Sequence, residues 1–118
     1  MNRSKYRVYN TKRGCYEDVF YYAICCSGTL HEFKRGLKSL NMEIRIIEWC
    51  TGQKDIKGNL VYAGDIIEGG FFHNIKLAGV IVWAVDQWRV RRTELDHIVN
   101  WKGCEIIGTI HENPLLLN

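Results

Sequence analysis

The sequence has a single proline, Pro114, in 118 residues, and no Pro-, Gly- or Ser-rich stretch that would serve as a linker. Its longest apolar run, Leu77 to Val85, falls well short of the roughly 20 residues that a bilayer-spanning helix needs. The opening Met1-Asn2-Arg3-Ser4-Lys5-Tyr6 is charged and has no apolar core, so no signal peptide is expected. The five cysteines, Cys15, Cys25, Cys26, Cys50 and Cys104, contain no C-x-x-C pair and no Cys/His finger spacing. Reduced thiols without zinc are therefore expected. Serine is scarce too: Ser4, Ser27 and Ser39 are all there are, and none sits in G-x-S-x-G. No P-loop occurs, and Gly64-Asp65 and Gly69-Gly70 are isolated turns without a phosphate-binding helix after them. The histidines, His31, His73, His97 and His111, are scattered. Asp65 and Glu112 would suit acid/base work only if they met in space, and turn and cap roles explain them more simply. These absences leave no catalytic residue, no metal site and no cofactor to expect.

What is present is ordinary for a soluble globular domain: 47% hydrophobic and 25% charged residues. A chain of this length buries enough surface to fold without a metal or disulfide. Net charge is only +3, but its distribution is uneven. Arg3, Lys5, Arg7, Lys12 and Arg13 occupy the first thirteen residues without an acid, and Arg89, Arg91 and Arg92 form a second cluster. With Trp88 beside them, the second cluster is the candidate for weak, sequence-independent nucleic-acid binding, with cations on phosphates and an indole under bases. The simpler reading is solvated strand edges, whose charges deter edge-to-edge pairing. A sequence pI near 8.6 favours that reading, since nucleic-acid domains usually exceed 9. Trp49, Trp83, Trp88 and Trp101 are likewise read first as core and second as a binding surface.

Along the chain, Lys5–Tyr9 alternates as a strand, Asn10–Gly14 is a turn, and Tyr16–Cys26 reads as the partner strand. Thr29-Leu30-His31-Glu32 has the form of a capping box, and Leu30, Phe33, Leu37 and Leu40 recur at helical spacing. One short helix is predicted there, ending at Asn41, with Gly36 weakening it. Met42–Trp49 returns to strand and ends near Cys50. Asp55-Ile56-Lys57-Gly58 predicts a type I turn, with Asp55 accepting backbone hydrogen bonds and Gly58 at positive φ. Ala63-Gly64-Asp65 is a second tight turn, which makes Gly64 structural as well. Gly79–Val85 and Trp88–Arg92 predict a hairpin about Asp86-Gln87. A two-residue loop sets Trp83 opposite Val90 and places Ile81, Trp83, Val85, Trp88 and Val90 on one apolar face, with Arg89 and Arg91 outward; a longer loop would shift the register. The last strands are His97–Trp101 and Cys104–Ile110, and Asn113-Pro114 stops the ladder.

Two long stretches carry a resemblance. Thr51-Gly52-Gln53-Lys54-Asp55-Ile56-Lys57-Gly58-Asn59-Leu60-Val61-Tyr62-Ala63-Gly64-Asp65-Ile66-Ile67 and Glu105-Ile106-Ile107-Gly108-Thr109-Ile110-His111-Glu112-Asn113-Pro114-Leu115-Leu116 are similar to the two signature segments of the YopX family, small proteins carried by phages and prophages. The opening Tyr6-Arg7-Val8-Tyr9 resembles the family's first strand. Ala63 stands where the family usually has an acid, and Thr109 and His111 where Asn and Tyr are usual. The resemblance implies an SH3-like barrel in the C-terminal part. The expected fold class is thus mainly β with one short helix. Residues 1–41 would form an N-terminal β-hairpin plus helix, and 42–118 an SH3-like small β-barrel. The family has no agreed catalytic residues, so a non-enzymatic accessory module of the bacterial cytoplasm is expected. Its candidate partners are nucleic acid, a host or phage protein, or further copies of itself, but no membrane. Self-association follows from the number of apolar residues, Phe71-Phe72 and the tryptophans among them, that a small barrel cannot enclose.

Overall fold

Short apolar-alternating runs broken by glycine turns give a mainly β fold, described by a computed structural model for residues 6–17, 22–24, 30–32, 38–39, 45–71, 77–84, 87–93 and 95–117. The chain divides into two compact units, one spanning Tyr6–Glu48 and the other beginning at Trp49. The border falls inside one strand, Arg45–Lys54.

In the first unit β1 (Tyr6–Asn10) pairs antiparallel with β2 (Cys15–Glu17), Tyr9 opposite Tyr16. Asn10 makes the turn: its Oδ1 accepts the Lys12 and Arg13 N–H groups at 3.0 and 2.9 Å, an Asx turn of the kind that lets asparagine start a reversal. β3 (Tyr22–Ile24), β4 (Leu30–Glu32) and β5 (Lys38–Ser39) form a separate three-stranded sheet. Two expectations fail here. Tyr16–Cys26 is not one strand, since β2 and β3 pair with different partners. Residues 30–32 and 38–39 are strand rather than helix, with Ile24 opposite Leu30 and Glu32 opposite Lys38. A capping-box pattern is a weak local preference, and Gly36 weakens it further; ladder pairing satisfies the same backbone groups and prevails. Thr29, Phe33, Leu37, Leu40 and Asn41 of the expected helix lie outside the described residues.

β6 (Arg45–Lys54) neighbours β1 and β7 (Leu60–Tyr62). It runs past Cys50, pairing Cys50 with Tyr62 and Lys54 with Leu60, with an irregularity between. The second unit's main sheet has the order β11-β10-β9-β8-β12, with β8 (Asp65–Glu68), β9 (Ala78–Ala84), β10 (Gln87–Arg92), β11 (Leu95–His97) and β12 (Glu105–Thr109). Val61, Ile67, Ile81, Val90, Val99 and Cys104 form its core, backed by Phe71, Trp88, Trp101 and Ile106. β8 lies between β9 and β12, and both of its central residues, Ile66 and Ile67, are fully buried. Burial of each such side chain contributes about 1.5–3 kcal/mol. This curled, barrel-like all-β unit is the architecture expected of the C-terminal part.

The β9–β10 hairpin sets Trp83 opposite Trp88 and Ile81 opposite Val90, with Ala84 paired to Gln87. The expected pairing of Trp83 with Val90 is therefore displaced by two residues. A two-residue slip preserves every side chain's face where a one-residue slip would invert it. Ile81, Trp83, Trp88 and Val90 accordingly share one face, and Arg89 and Arg91 the other. β11 replaces the expected strand His97–Trp101: it ends at His97, and Trp101–Gly103 is a single turn of 3-10 helix. The reversal into β11 contains Thr93 at φ 57°, a conformation that glycine or asparagine usually signals.

Gly58 and Gly64 have φ values of +84° and +87°. Just ahead of them, Asp55 organises the first signature segment. Its Oδ1 accepts the N–H groups of Lys57 at 3.0 Å and Asn59 at 2.9 Å. Its Oδ2 accepts the N–H of Ile106, at the start of β12, at 3.0 Å. Burial pushes the Asp55 carboxyl's pKa up, but the N–H donors of Ile106, Asn59 and Lys57 outweigh it, and the net shift is downward. Ile56 N–H donates to the Cys104 carbonyl at 2.8 Å. Asp55→Ala should destabilise the protein by about 3–5 kcal/mol, since three backbone donors lose their acceptor and each orphaned one costs ~1–3 kcal/mol. Because the folded pKa lies below the unfolded one, this stabilisation is complete above the ordinary carboxylate range and is lost as pH falls through the folded value. Acid titration of stability should show a limb that Asp55→Asn removes; an unchanged limb in that variant would refute the assignment.

Candidate functional site

The arginines singled out by the sequence are brought together but are largely occupied. Arg91 Nε and Nη2 donate to Asp96 at 2.7 and 3.1 Å, a two-pronged pair across β10 and β11. The pairing holds the Asp96 carboxyl below its usual range and raises Arg91. Arg92 Nη1 donates to the Ala78 carbonyl at 2.8 Å. Arg89 shares the face of Arg91 but is half-buried there, with its Nε shielded from solvent and without a hydrogen-bond partner; the Trp88 Nε1 is in the same state. Trp88 packs edge-on against Trp83, with ring centroids 5.1 Å apart. This cluster is a cross-strand lock more than an open basic face.

The first unit ties up its charges in the same way. Arg7 Nε and the Tyr16 hydroxyl both donate to Glu48 Oε1 at 2.8 Å, and the Arg7 guanidinium lies 4.6 Å from the centre of the Tyr16 ring. Arg45 Nε donates to Glu17 Oε1 at 2.7 Å, and Asn10 Nδ2 to the same oxygen at 3.2 Å. Glu48 is buried, so each pair needs its partner close to offset desolvation. Arg7 is thus committed to a neighbour, while Lys12 and Arg13 are exposed at the turn. Arg3 and Lys5 lie outside the described residues.

Asp65 and Glu112 serve local turns. Asp65 Oδ2 accepts the Tyr62 N–H at 2.7 Å, and Glu112 Oε1 accepts from the Thr109 hydroxyl at 3.3 Å. Burial, with the Asp55 carboxylate adding to it, pushes the Cys104 thiol up to about 11, so it is protonated at neutral pH. Among the described residues no group of three or more His, Cys, Asp or Glu side chains is arranged to hold a metal ion, and no helix is long and apolar enough to cross a membrane.

A different feature of the second unit has the form of a binding site. A groove of about 520 Å³ is lined on one side by Gly52, Gln53 and Lys54 and on the other by Val99, Asn100, Trp101 and Lys102. The first wall is the irregular end of β6. Thr51, buried there, donates its hydroxyl to the Val61 carbonyl at 2.9 Å and accepts the Gln53 N–H at 3.0 Å. The second wall is set by Gly70. The Asn100 N–H donates to the Gly70 carbonyl at 2.6 Å. A Cβ on Gly70, at φ +80°, would stand 2.6 Å from the Asn100 carbonyl oxygen and 2.9 Å from Cys104 Cβ. Only glycine permits that approach. Asn100 Oδ1 then accepts the Lys102 N–H at 3.3 Å and caps the 3-10 turn that carries Trp101. Trp101 is half-buried, packed on the core while lining the groove. Lys54 and Lys102 are both exposed, and neither has an ion-pair partner among the described residues. The adjacent Trp101-Lys102 was the only sequence signal for this site. Lys54 is 48 positions away, and nothing in the sequence places it opposite.

The profile described as YopX protein matches residues 5–118. The chain belongs to the YopX family. The two signature segments of this YopX chain meet in space: β8 pairs with β12, Asp65 opposite Thr109 and Ile67 opposite Ile106, and Ile110 N–H donates to the Gly64 carbonyl at 2.9 Å. A crystal structure of protein EF1440 from Enterococcus faecalis is similar at a TM-score of 0.63 and 20% identity, over 97% of each chain; at that identity the likeness shows the fold. No curated protein matches the YopX chain.

Gly70→Ala should lower stability by at least about 1–2 kcal/mol from left-handed backbone alone, and by more from the overlap. Thermal melting checks this; a melting temperature equal to the parent's would show that the second wall does not depend on Gly70.

Proposed function

We propose that this protein is a non-enzymatic binding module, an accessory factor of phage or prophage origin acting in the bacterial cytoplasm, and that the groove between Gly52–Lys54 and Val99–Lys102 is where it holds nucleic acid, without regard to sequence. The observation that carries the reading is the make-up of the groove. Each wall supplies one lysine, the second adds the Trp101 indole, and among the described residues no carboxylate lines the groove. Lysines without partners attract phosphates, and counterion release then provides most of the binding. The Arg89–Arg92 cluster is a poorer candidate, because Arg91 and Arg92 already have acceptors. Replacing both Lys54 and Lys102 by Ala should weaken binding of an oligonucleotide roughly tenfold or more at low salt. It should also flatten the dependence on log salt by about 0.7–0.9 per lysine, without lowering the melting temperature. Identical salt slopes for parent and double variant would rule out the groove.

A second reading, assembly of several copies, is favoured by the exposed apolar surface. Trp83 is 43% exposed and Leu115 78%, and the 3-10 turn Pro114–Leu117, with Leu116 also exposed, lies beside β9. An apolar patch of this kind marks contact sites. Light scattering at high micromolar concentration should then give a multiple of 13.8 kDa, reduced by Leu115→Asp; a monomer would leave only the nucleic-acid reading.

A further inference from the structure

The same groove, if it binds nucleic acid as proposed above, has features that select among the forms nucleic acid takes. We infer that it accepts a single strand, seating one unstacked base on Trp101 while Lys54 and Lys102 hold the flanking phosphates, and that it discriminates against duplex.

Size is the first reason. About 520 Å³ lies in the 300–1,000 Å³ range of sites that enclose a small ligand. That is room for a nucleotide unit in an open groove, and a base presents its face to an indole there only when it can swing out of its stack. Duplex bases are stacked on both faces and present only edges, so an indole inside a groove is of no use to them. The second reason is preorganisation. Trp101 already packs against the hydrophobic core, and its 3-10 turn is pinned at both ends, by Asn100 N–H on the Gly70 carbonyl and by Gly103 N–H on the Asn100 backbone carbonyl at 3.0 Å. The ring is therefore ordered before a ligand arrives, and little side-chain entropy is lost on stacking. The third reason is the distribution of charge. The cations come from the two separate segments that line the groove, and the ring neighbours Lys102 on one of them, so a strand whose phosphates bridge the two lysines can bring a base to the ring. A flat basic face would instead follow the two phosphate ridges of a duplex. The polar lining fits a sequence-tolerant site. The Asn100 side-chain oxygen Oδ1 accepts the Lys102 N–H, which leaves its amide Nδ2 to donate to whichever base acceptor is near.

Fluorescence anisotropy of the full chain with three labelled probes of equal length tests this: an oligo-thymidylate, a duplex, and an abasic phosphodiester that keeps every charge and lacks every base. Stacking of one base contributes about 1–3 kcal/mol, which is roughly 5- to 150-fold in affinity. The oligo-thymidylate should therefore bind more tightly than the abasic strand by that factor, and more tightly than the duplex at equal salt. Trp101→Ala should bring the oligo-thymidylate down to the level of the abasic strand, and Trp101→Phe should restore most of the difference. Abasic or duplex probes that bind as well as the oligo-thymidylate would overturn the single-strand inference and leave a simple polyanion groove. No binding of any probe at low salt would remove the groove's nucleic-acid role altogether. Because the abasic comparison uses the unaltered protein, it decides the matter even if Trp101 variants fold poorly.

Discussion

The Asp55 carboxylate holds the C-terminal unit together. One oxygen closes the turn after β6 through Lys57 and Asn59, and the other receives the backbone of Ile106 on β12. A local reversal and a long-range strand junction therefore depend on one buried side chain. Around it, Ile56 N–H reaches the Cys104 carbonyl, and Lys57 and Glu105 form an exposed ion pair at 2.6 Å. The order of the sheet follows. Once Glu105–Thr109 is fixed beside the turn, its remaining edge takes up β8, and β9 and β10 extend the ladder. Three directed hydrogen bonds to a charge specify this junction in a way that apolar packing, being non-directional, does not.

Local chemistry was legible wherever one residue type has one structural use. Asp55-x-x-Gly58 announces its turn because few other residues accept two backbone donors and then tolerate positive φ. The alternation assigned the faces of Ile81, Trp83, Trp88, Arg89, Val90 and Arg91 correctly even though the pairing is displaced by two residues, since side-chain orientation depends on parity; Val85 lies outside the described residues. The segment from Thr29 to Asn41 misled, because a capping box and a leucine spacing describe what a peptide prefers in isolation. Pairing of β4 with β3 and β5 adds backbone bonds that local preference cannot anticipate. β11 was hidden for the opposite reason: its turn uses Thr93 at φ 57°, where no turn-forming residue type is present to be read.

Charge was legible as composition and illegible as surface. Arg89, Arg91 and Arg92 form the densest cationic run near a tryptophan, yet a cross-strand aspartate and a backbone carbonyl take up two of them. Alternation on a strand says which way a side chain points, not which acceptor stands opposite it. The two lysines of the groove come from segments far apart in sequence, and the segment that carries Lys102 is seated by the close approach of Asn100 to Gly70. A Gly-Gly pair in a loop reads as slack; here the second glycine sets a wall.

The same junction has a kinetic consequence. The Asp55–Ile106 bond closes a span of 51 residues, and β12, the last of the described strands, pairs with β8 some forty positions earlier. Chain entropy must be given up over those loops before the contacts can compensate for it, which places such topologies among the slower-folding small domains. During synthesis, Ile66 and Ile67 leave the ribosome well before the strand that covers one edge of β8. Until Thr109 emerges, that edge is unpaired and open to the wrong strand, a hazard common to nascent β proteins. The second signature segment thus acts as the closing clasp of the fold, and the chain is exposed to misassembly for the time it takes to translate the residues between the two.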